Sequence, residues 1–204
     1  MKSQISVVFD LGGVLLNWNP QKLIEQAGAN VHEAALLQRH VFEHQDWLEL
    51  DRGTLTREMA QQRAIERSDL KASLVERLFD LLPSSLEPIP AMVKNLESLV
   101  DQGVPCYVLS NMHEASARFL EQNCDFWPLF EGTLFSCDEK LIKPERAIYE
   151  RVEEKFDLKG PNIVFLDDTQ DNIRAAKQQG WGTIHVQASV DVRGEFARWG
   201  LLPN

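Results

Sequence analysis

The chain has 204 residues, 44% of them hydrophobic, enough to bury the core of one domain with room for an inserted subdomain. With 31 acids against 21 bases, a net charge of −10 and no Lys/Arg cluster, the composition excludes nucleic acid and anionic membrane surfaces as partners. Three widely spaced cysteines, Cys106, Cys124 and Cys137, without a CxxC pair, argue against a disulfide framework or a zinc site, and no apolar run approaches the ~20 residues of a membrane span.

In chain order, the N-terminal stretch "MKSQISVVFD" lacks the charged start, long apolar run and cleavage site of a signal peptide, so a soluble, cytoplasmic protein is expected. "ISVVFD" (5–10) reads as a buried strand ending in Asp10, with Gly12 and Gly13 just beyond. From about Pro20 to Leu82 the pattern is helical, with no convincing strand. Leu23, Ile24 and Ala27 form one stripe, and Leu37 and Val41 belong to another. Thr56 can cap a helix containing Met59 and Ala60, and "LKASLVERLFDLL" (70–82) is a further helix before "PSSLEPIP" (83–90) leads back.

After this insert of about 65 residues, strands and helices alternate. "PAMVKNLESLVDQG" (90–103) is a helix ending in a glycine, and "VPCYVLS" (104–110) a strand containing Cys106, read as a core thiol. "GTLFS" (132–136) is a shorter strand. In "PERAIYERVEEKF" (144–156), Ile148, Val152 and Phe156 share a helix face, with Pro144 suited to the first turn. "NIVFLDD" (162–168), the helix "TQDNIRAAKQQG" (169–180) and "GTIHV" (182–186) complete the series. Apart from the short "GTLFS", the strands are continuous apolar runs rich in Val and Ile, the mark of parallel strands covered on both faces. The expected fold is α/β: a doubly wound, Rossmann-like parallel sheet over residues 1–16 and 88–204, with a helical cap over 17–87 inserted after the first strand.

Ligands of open parallel sheets bind beyond the carboxyl ends of the strands. Four segments deliver polar groups there: Asp10, Ser110-Asn111, Lys143, and Asp167-Asp168. Singly, each has a plain reading. Asp10 can be a turn acid, Ser110 an N-cap, Lys143 a solvated lysine, and the acid pair turn and cap residues. Together, on one edge, they suit phosphoryl transfer. A carboxylate can act as nucleophile and form an aspartyl phosphate, while cations and donors neutralise charge on the transferring group. Mg²⁺, taking oxygen ligands from Asp10 and Asp168, suits that task. Ser110 and the backbone amide of Asn111 can bind phosphate oxygens, and Lys143 can pair with Asp10 and the phosphate.

These residues resemble the haloacid dehalogenase superfamily of phosphohydrolases. "FDLGGVL" is similar to its first motif, "VLSN" with Ser110 to its second, Lys143 in "LIKPE" to its third and "FLDDTQDN" to its fourth, in the family's order and nearly spanning the chain. The insert after the first motif is similar to the family's C1-type cap. The resemblance implies Asp10 as nucleophile, and metal ligation by Asp10, the Gly12 carbonyl and a fourth-motif acid, Asp168 ahead of Asp167. It places Asn172 where many relatives carry another acid; Asp171 beside it reads as a helix first-turn acid.

The chain departs from that pattern at Gly12, where most phosphatases of the superfamily carry an Asp that protonates the leaving oxygen and then activates water. General acid–base help is worth about 10²–10⁴-fold. The chain resembles at this position a branch that includes bacterial α-glucose-1-phosphate phosphatases and relatives of the phosphatase domain of epoxide hydrolases. That resemblance implies a small phosphorylated substrate such as a sugar phosphate, whose anomeric oxygen is a better leaving group than a simple alcohol.

In the cap segment "WLELDRGTLT" (47–56), Arg52 can place a guanidinium on phosphate or lie on the surface near a helix-joining turn. His44 and Glu49 are conceivable replacement acids or ordinary cap residues. Asn17 and Trp18 can touch substrate, and Trp18 can equally pack between core and cap. Two rival readings are haloacid dehalogenation by the same nucleophile, although the family's dehalogenases usually have Tyr at the Gly12 position, and a non-catalytic phosphate- or partner-binding protein. The oligomeric state is not legible.

Overall fold

The computed structural model describes residues 4–203; the first three residues of the N-terminal stretch and residue 204 lie outside the described residues. Strand β1 (Ser6–Phe9) is followed by helices α1 (Pro20–Gln26) and α2 (Val31–Leu37), a π-helical turn (Gln38–Phe42), α3 (Gln45–Arg52), α4 (Arg57–Glu66), α5 (Ala72–Ser85) and α6 (Pro90–Asp101). Then come β2 (Cys106–Ser110), α7 (Glu114–Asn123), β3 (Gly132–Phe135), the single turn α8 (Ser136–Glu139), α9 (Arg146–Phe156), β4 (Ile163–Asp167), α10 (Gln170–Gln178), β5 (Gly182–His185) and α11 (Val192–Arg198).

All pairings in the five-stranded sheet are parallel, in the order β3-β2-β1-β4-β5. The alternation of side chains along each strand feeds two cores. Val7 and Phe9 of β1 join one cluster with Met92, Leu96 and Leu99 of α6, Leu120 of α7 and Phe196 of α11. Val8, between them, joins the opposite cluster with Ile148, Tyr149 and Val152 of α9 and Ile173 of α10. This is the doubly wound architecture expected from the continuous apolar strands.

A third cluster is built wholly from residues 23–82: Leu23 and Ile24 of α1, Leu37, Val41, Leu50, Ala60, and Leu74, Val75, Leu78, Phe79 and Leu82 of α5. Each large apolar side chain in it contributes about 1.5–3 kcal/mol relative to exposure, so the helical segment has a core of its own. Asn19, Asn30 and Thr56 cap α1, α2 and α4 through their side chains, Asn30 and Glu33 forming a reciprocal capping box.

The structure differs from the sequence reading in three places. Helix α5 runs past Pro83 to Ser85 rather than stopping at 82. Pro83 falls in the last turn, where Ser84 Oγ and Ser85 Oγ donate to the Leu81 and Leu82 carbonyls at 3.0 and 2.7 Å. Pro144 lies outside α9, which starts at Arg146 with Glu145 as its N-cap. Helix α11 was not anticipated, and α7, implied only by the N-cap reading of Ser110, starts later, with His113 at its N-cap; their apolar faces, Val192 with Phe196 and Ala117 with Leu120, are short. Among the described residues no helix is long and apolar enough to cross a membrane.

Candidate active site

The sheet order places the switch point of the winding between β1 and β4. Phe9 pairs with Leu166, and the Asp10 amide donates to the Leu166 carbonyl at 2.9 Å. The next residues on the two strands are therefore Asp10 and Asp167, side by side at the carboxyl edge. Lys143 bridges them. Its ammonium lies 2.8 Å from Asp10 Oδ1 and 2.7 Å from Asp167 Oδ2, and donates to the Leu109 carbonyl at 3.1 Å. All three groups are buried. Burial alone would lower the Lys143 pKa, but the Asp10 and Asp167 carboxylates outweigh it and hold the group above its ordinary value. Burial pushes Asp10 the other way, with Asp167 adding to the effect and Lys143 opposing it, and its pKa is raised to about 7.

The two fourth-motif acids have different surroundings. Asp167 is fully buried, and its oxygens accept from Lys143, from the Thr169 amide at 2.8 Å and from Asn172 Nδ2 at 3.1 and 3.0 Å. Asp168 is more exposed and accepts from Thr169 Oγ1 at 3.3 Å. Burial, then Asp167, raises its pKa. Asp10, Asp167 and Asp168 each offer an oxygen within 4.8 Å of the others. A set of hard carboxylate oxygens this close together fits Mg²⁺.

Gly13 makes the arrangement possible. Its φ is +71°, and a Cβ there would lie 2.2 Å from Asp168 Oδ2. No such constraint acts at Gly12, where a Cβ would meet the Trp18 side chain at ordinary contact distance, 3.6 Å from Cβ and 3.9 Å from Cγ. The missing side chain at residue 12 is therefore not demanded by packing.

A cavity of about 220 Å³ opens over this edge. Asp10, Gly12, Ser110, Asn111, Lys143 and Asp168 line its floor; Trp18, Trp47, Leu82, Leu86 and Met112 form apolar wall. The Trp18 and Trp47 rings stack at 5.8 Å. Asp51 of α3, with His113 and Ser116, supplies further polar lining. The Asn111 side chain is turned from the cavity's centre toward Lys143, accepting from its amide at 2.8 Å and donating to its carbonyl at 3.0 Å.

Arg52 is not among the residues that line the cavity; its guanidinium forms a two-pronged pair with Glu145, both contacts 2.7 Å. That pairing raises the Arg52 pKa and lowers that of Glu145. Gly53 turns the chain at the end of α3, and Lys140 donates to its carbonyl at 2.6 Å, so the C-terminus of α3 is pinned to the sheet domain.

His44 and Glu49 are not in the cavity either. His44 Nδ1 accepts from the Asp46 amide at 3.1 Å, and Glu49 takes the Thr54 hydroxyl. Trp18 does line it, whereas the Asn17 side chain donates to the Glu87 carbonyl at 3.4 Å. Asp171 sits in the first turn of α10, 3.1 Å from Arg174. Cys106 and Cys137 are buried, which pushes both thiols up to about 12 and leaves them inert. Sequence reasoning passed over Asp51, His113, Ser116 and Trp47. His113 follows closely on the second-motif Ser110-Asn111, but no spacing rule links it to Asp51, 62 residues earlier.

The profile of the haloacid dehalogenase-like hydrolases matches residues 6–180. A sesquiterpene phosphatase of Aspergillus oryzae is 26% identical over 189 residues, 91% of each chain. A drimenol cyclase of Aspergillus calidoustus is 25% identical over 94% of this chain, which spans 35% of that protein. Among solved structures, a family enzyme from Bacteroides thetaiotaomicron in complex with magnesium and inorganic phosphate superposes with a TM-score of 0.74, at 22% identity over 95% of this chain and 100% of its own. By profile and by fold, the chain belongs to the haloacid dehalogenase-like hydrolases.

Proposed function

We propose that the protein is a Mg²⁺-dependent phosphomonoester hydrolase in which Asp10 is the nucleophile. The observation that carries this reading is the buried Lys143 ammonium, 2.8 Å from Asp10, beside a cluster of three carboxylates at the sheet's switch point. A structural ion pair would have no need of the additional acid, Asp168, facing the same cavity. The relative named as a phosphatase and the neighbour bound to magnesium and phosphate add support.

In this reading Asp10, the Gly12 carbonyl and Asp168 hold Mg²⁺, while Asp167 chiefly anchors Lys143, Asn172 and the Thr169 amide. The metal would neutralise phosphate charge. Lys143 orients Asp10 and offers positive charge to the phosphoryl oxygens. Ser110 and the Asn111 amide bind phosphate. Asp10 Oδ attacks phosphorus, the ester oxygen leaves, and water cleaves the aspartyl phosphate to inorganic phosphate. Segment 17–87 acts as a cap that excludes water.

For the organic group, the Asp-Leu-Gly motif supports a sugar phosphate such as glucose 1-phosphate. A second reading, an apolar ester of isoprenoid type, is favoured by the wall of Trp18, Trp47, Leu82, Leu86 and Met112 and by the sesquiterpene phosphatase relative. Haloacid dehalogenation needs no metal and leaves the Asp168 carboxylate without a task.

The test is phosphate release from sugar phosphates, alkyl phosphates and prenyl phosphates, with and without Mg²⁺, for wild type and Asp10→Asn. Mg²⁺-dependent release that Asp10→Asn abolishes is expected. Halide release from 2-haloacids, or no release from any ester, would sink the phosphatase reading.

A further inference from the structure

Resting on the phosphatase reading, the proton chemistry still lacks a group, because residue 12 is glycine. The titratable side chains lining the cavity are Asp10, Asp51, His113, Lys143 and Asp168. Asp10 is the nucleophile, Lys143 is saturated by Asp10, Asp167 and the Leu109 carbonyl, and Asp168 faces the metal position. His113 and Asp51 remain, and they contact each other: His113 Nδ1 lies 3.4 Å from Asp51 Oδ1. The other ring nitrogen, Nε2, lies 3.0 Å from Ser116 Oγ, which also lines the cavity. Both His113 and Asp51 are buried.

The pair is held from two sides. Asp51 belongs to α3 of the helical segment, while His113 precedes α7 of the sheet domain. Ser136 Oγ ties the Asp51 backbone to that of Met112, the residue before His113, donating to the Asp51 carbonyl and accepting from the Met112 amide at 2.9 Å. The Arg52–Glu145 pair and the Lys140–Gly53 bond clamp the next two residues, the last of α3 and its C-cap. The Trp47 ring meets the His113 imidazole edge-on at 5.9 Å. A side chain supported in this way has the fixed orientation that proton transfer requires.

We propose that His113, oriented by Asp51 across the joint between the helical segment and the sheet domain, is the general acid and base that Gly12 does not provide. In the first half-reaction the bond from Asp10 Oδ to phosphorus forms and the bond to the ester oxygen breaks. That oxygen takes the Nε2 proton of the His113 imidazolium, leaving neutral imidazole. In the second half-reaction Nε2 accepts a proton from the attacking water as its oxygen bonds to phosphorus and the Asp10–phosphorus bond breaks. Inorganic phosphate leaves and the imidazolium is restored. Asp51 keeps Nδ1 protonated and aimed throughout. With this couple in place, an ordinary alcohol can serve as leaving group. The couple exists only while α3 is docked, so water is handled only in a closed site.

The experiment compares wild type, His113→Gln and Asp51→Asn, each loaded with Mg²⁺, on an alkyl phosphate and on p-nitrophenyl phosphate. The nitrophenolate departs without a proton, but hydrolysis of the aspartyl phosphate still needs the base. His113→Gln should lose about 10²–10⁴-fold in turnover of the alkyl ester. On p-nitrophenyl phosphate it should release about one equivalent of nitrophenolate per enzyme in a burst and then stall. Asp51→Asn, which keeps the shape of the side chain, should show the same burst with a smaller loss, tenfold or more; it carries the test if His113→Gln does not fold. Equal loss on both esters with no burst in the folded variants, or wild-type turnover in both, would overturn the assignment. A wild type without ester hydrolysis, or an Asp10→Asn enzyme that retains it, would instead overturn the phosphatase reading on which the assignment rests.

Discussion

Asn111 brackets Lys143: its side-chain carbonyl accepts from the Lys143 amide at 2.8 Å, and its side-chain amide donates to the Lys143 carbonyl at 3.0 Å. The two residues lie 32 positions apart, on β2's exit and on the turn before α9. This contact sets the direction from which the lysine enters the site. Asn111→Ala removes both bonds and leaves part-buried backbone groups without these partners, at a cost of about 1–3 kcal/mol each. The expected result is a lowered melting temperature and a lowered kcat, with Mg²⁺ affinity nearly unchanged because the carboxylates stay in place. Thermal melts, steady-state kinetics and a Mg²⁺ titration check it.

Lys143→Met keeps the length of the side chain and removes its charge. Asp10 and Asp167 then face each other in a buried site with no cation between them. Breaking a buried pair in this way costs about 3–5 kcal/mol, a fall of roughly 6–20 °C in melting temperature for a chain of this size. Part of the loss should return on adding Mg²⁺. A melting temperature equal to wild type would show that the pair contributes nothing to stability.

Gly13→Ala tests the approach of Asp168. The substitution strains a residue at φ +71° and puts a methyl where Asp168 Oδ2 now lies. Displacing that carboxylate should raise the Mg²⁺ concentration needed for half-maximal activity by about 10–100-fold. An unchanged Mg²⁺ requirement would remove Asp168 from the metal site.

The raised pKa of Asp10 gives the metal-free protein a definite pH dependence. Between its ordinary 3.8 and about 7, the folded carboxyl keeps a proton that the unfolded chain has lost. The contribution of this group to stability therefore falls as pH rises through that window. Mg²⁺ must displace the proton, so its affinity should weaken about tenfold per pH unit below 7 and level off above it. Titration calorimetry at pH 5.5, 6.5 and 8 measures the slope, and proton uptake by the buffer should accompany binding at the lower values.

Much of this molecule is written in short-range patterns. Strands β1, β2 and β4 are fully buried, almost wholly apolar runs that end in Asp10, Ser110 and Asp167-Asp168, so the fold and most of the cavity floor were legible together. Thr56 as a cap and the stripe of Leu23, Ile24 and Ala27 were legible for the same reason: each depends on neighbours three or four residues away. Pro144 lies outside α9, and the backbone of Lys143 just before it is held by Asn111, 32 residues earlier, a contact that no local pattern encodes.

What the amino-acid sequence determined by itself was the order of elements, the carboxyl-edge residues and the loss of a side chain at Gly12, because periodicity and strand ends are local properties. What only the tertiary structure decided was where the charges of α3 go. Arg52 turns to Glu145, 93 residues away, instead of the cavity, and Asp51 beside it turns to His113. The docking of one amphipathic helix against the sheet domain makes that choice, and docking depends on apolar packing and hydrogen bonds between segments far apart in the chain, which no local spacing encodes.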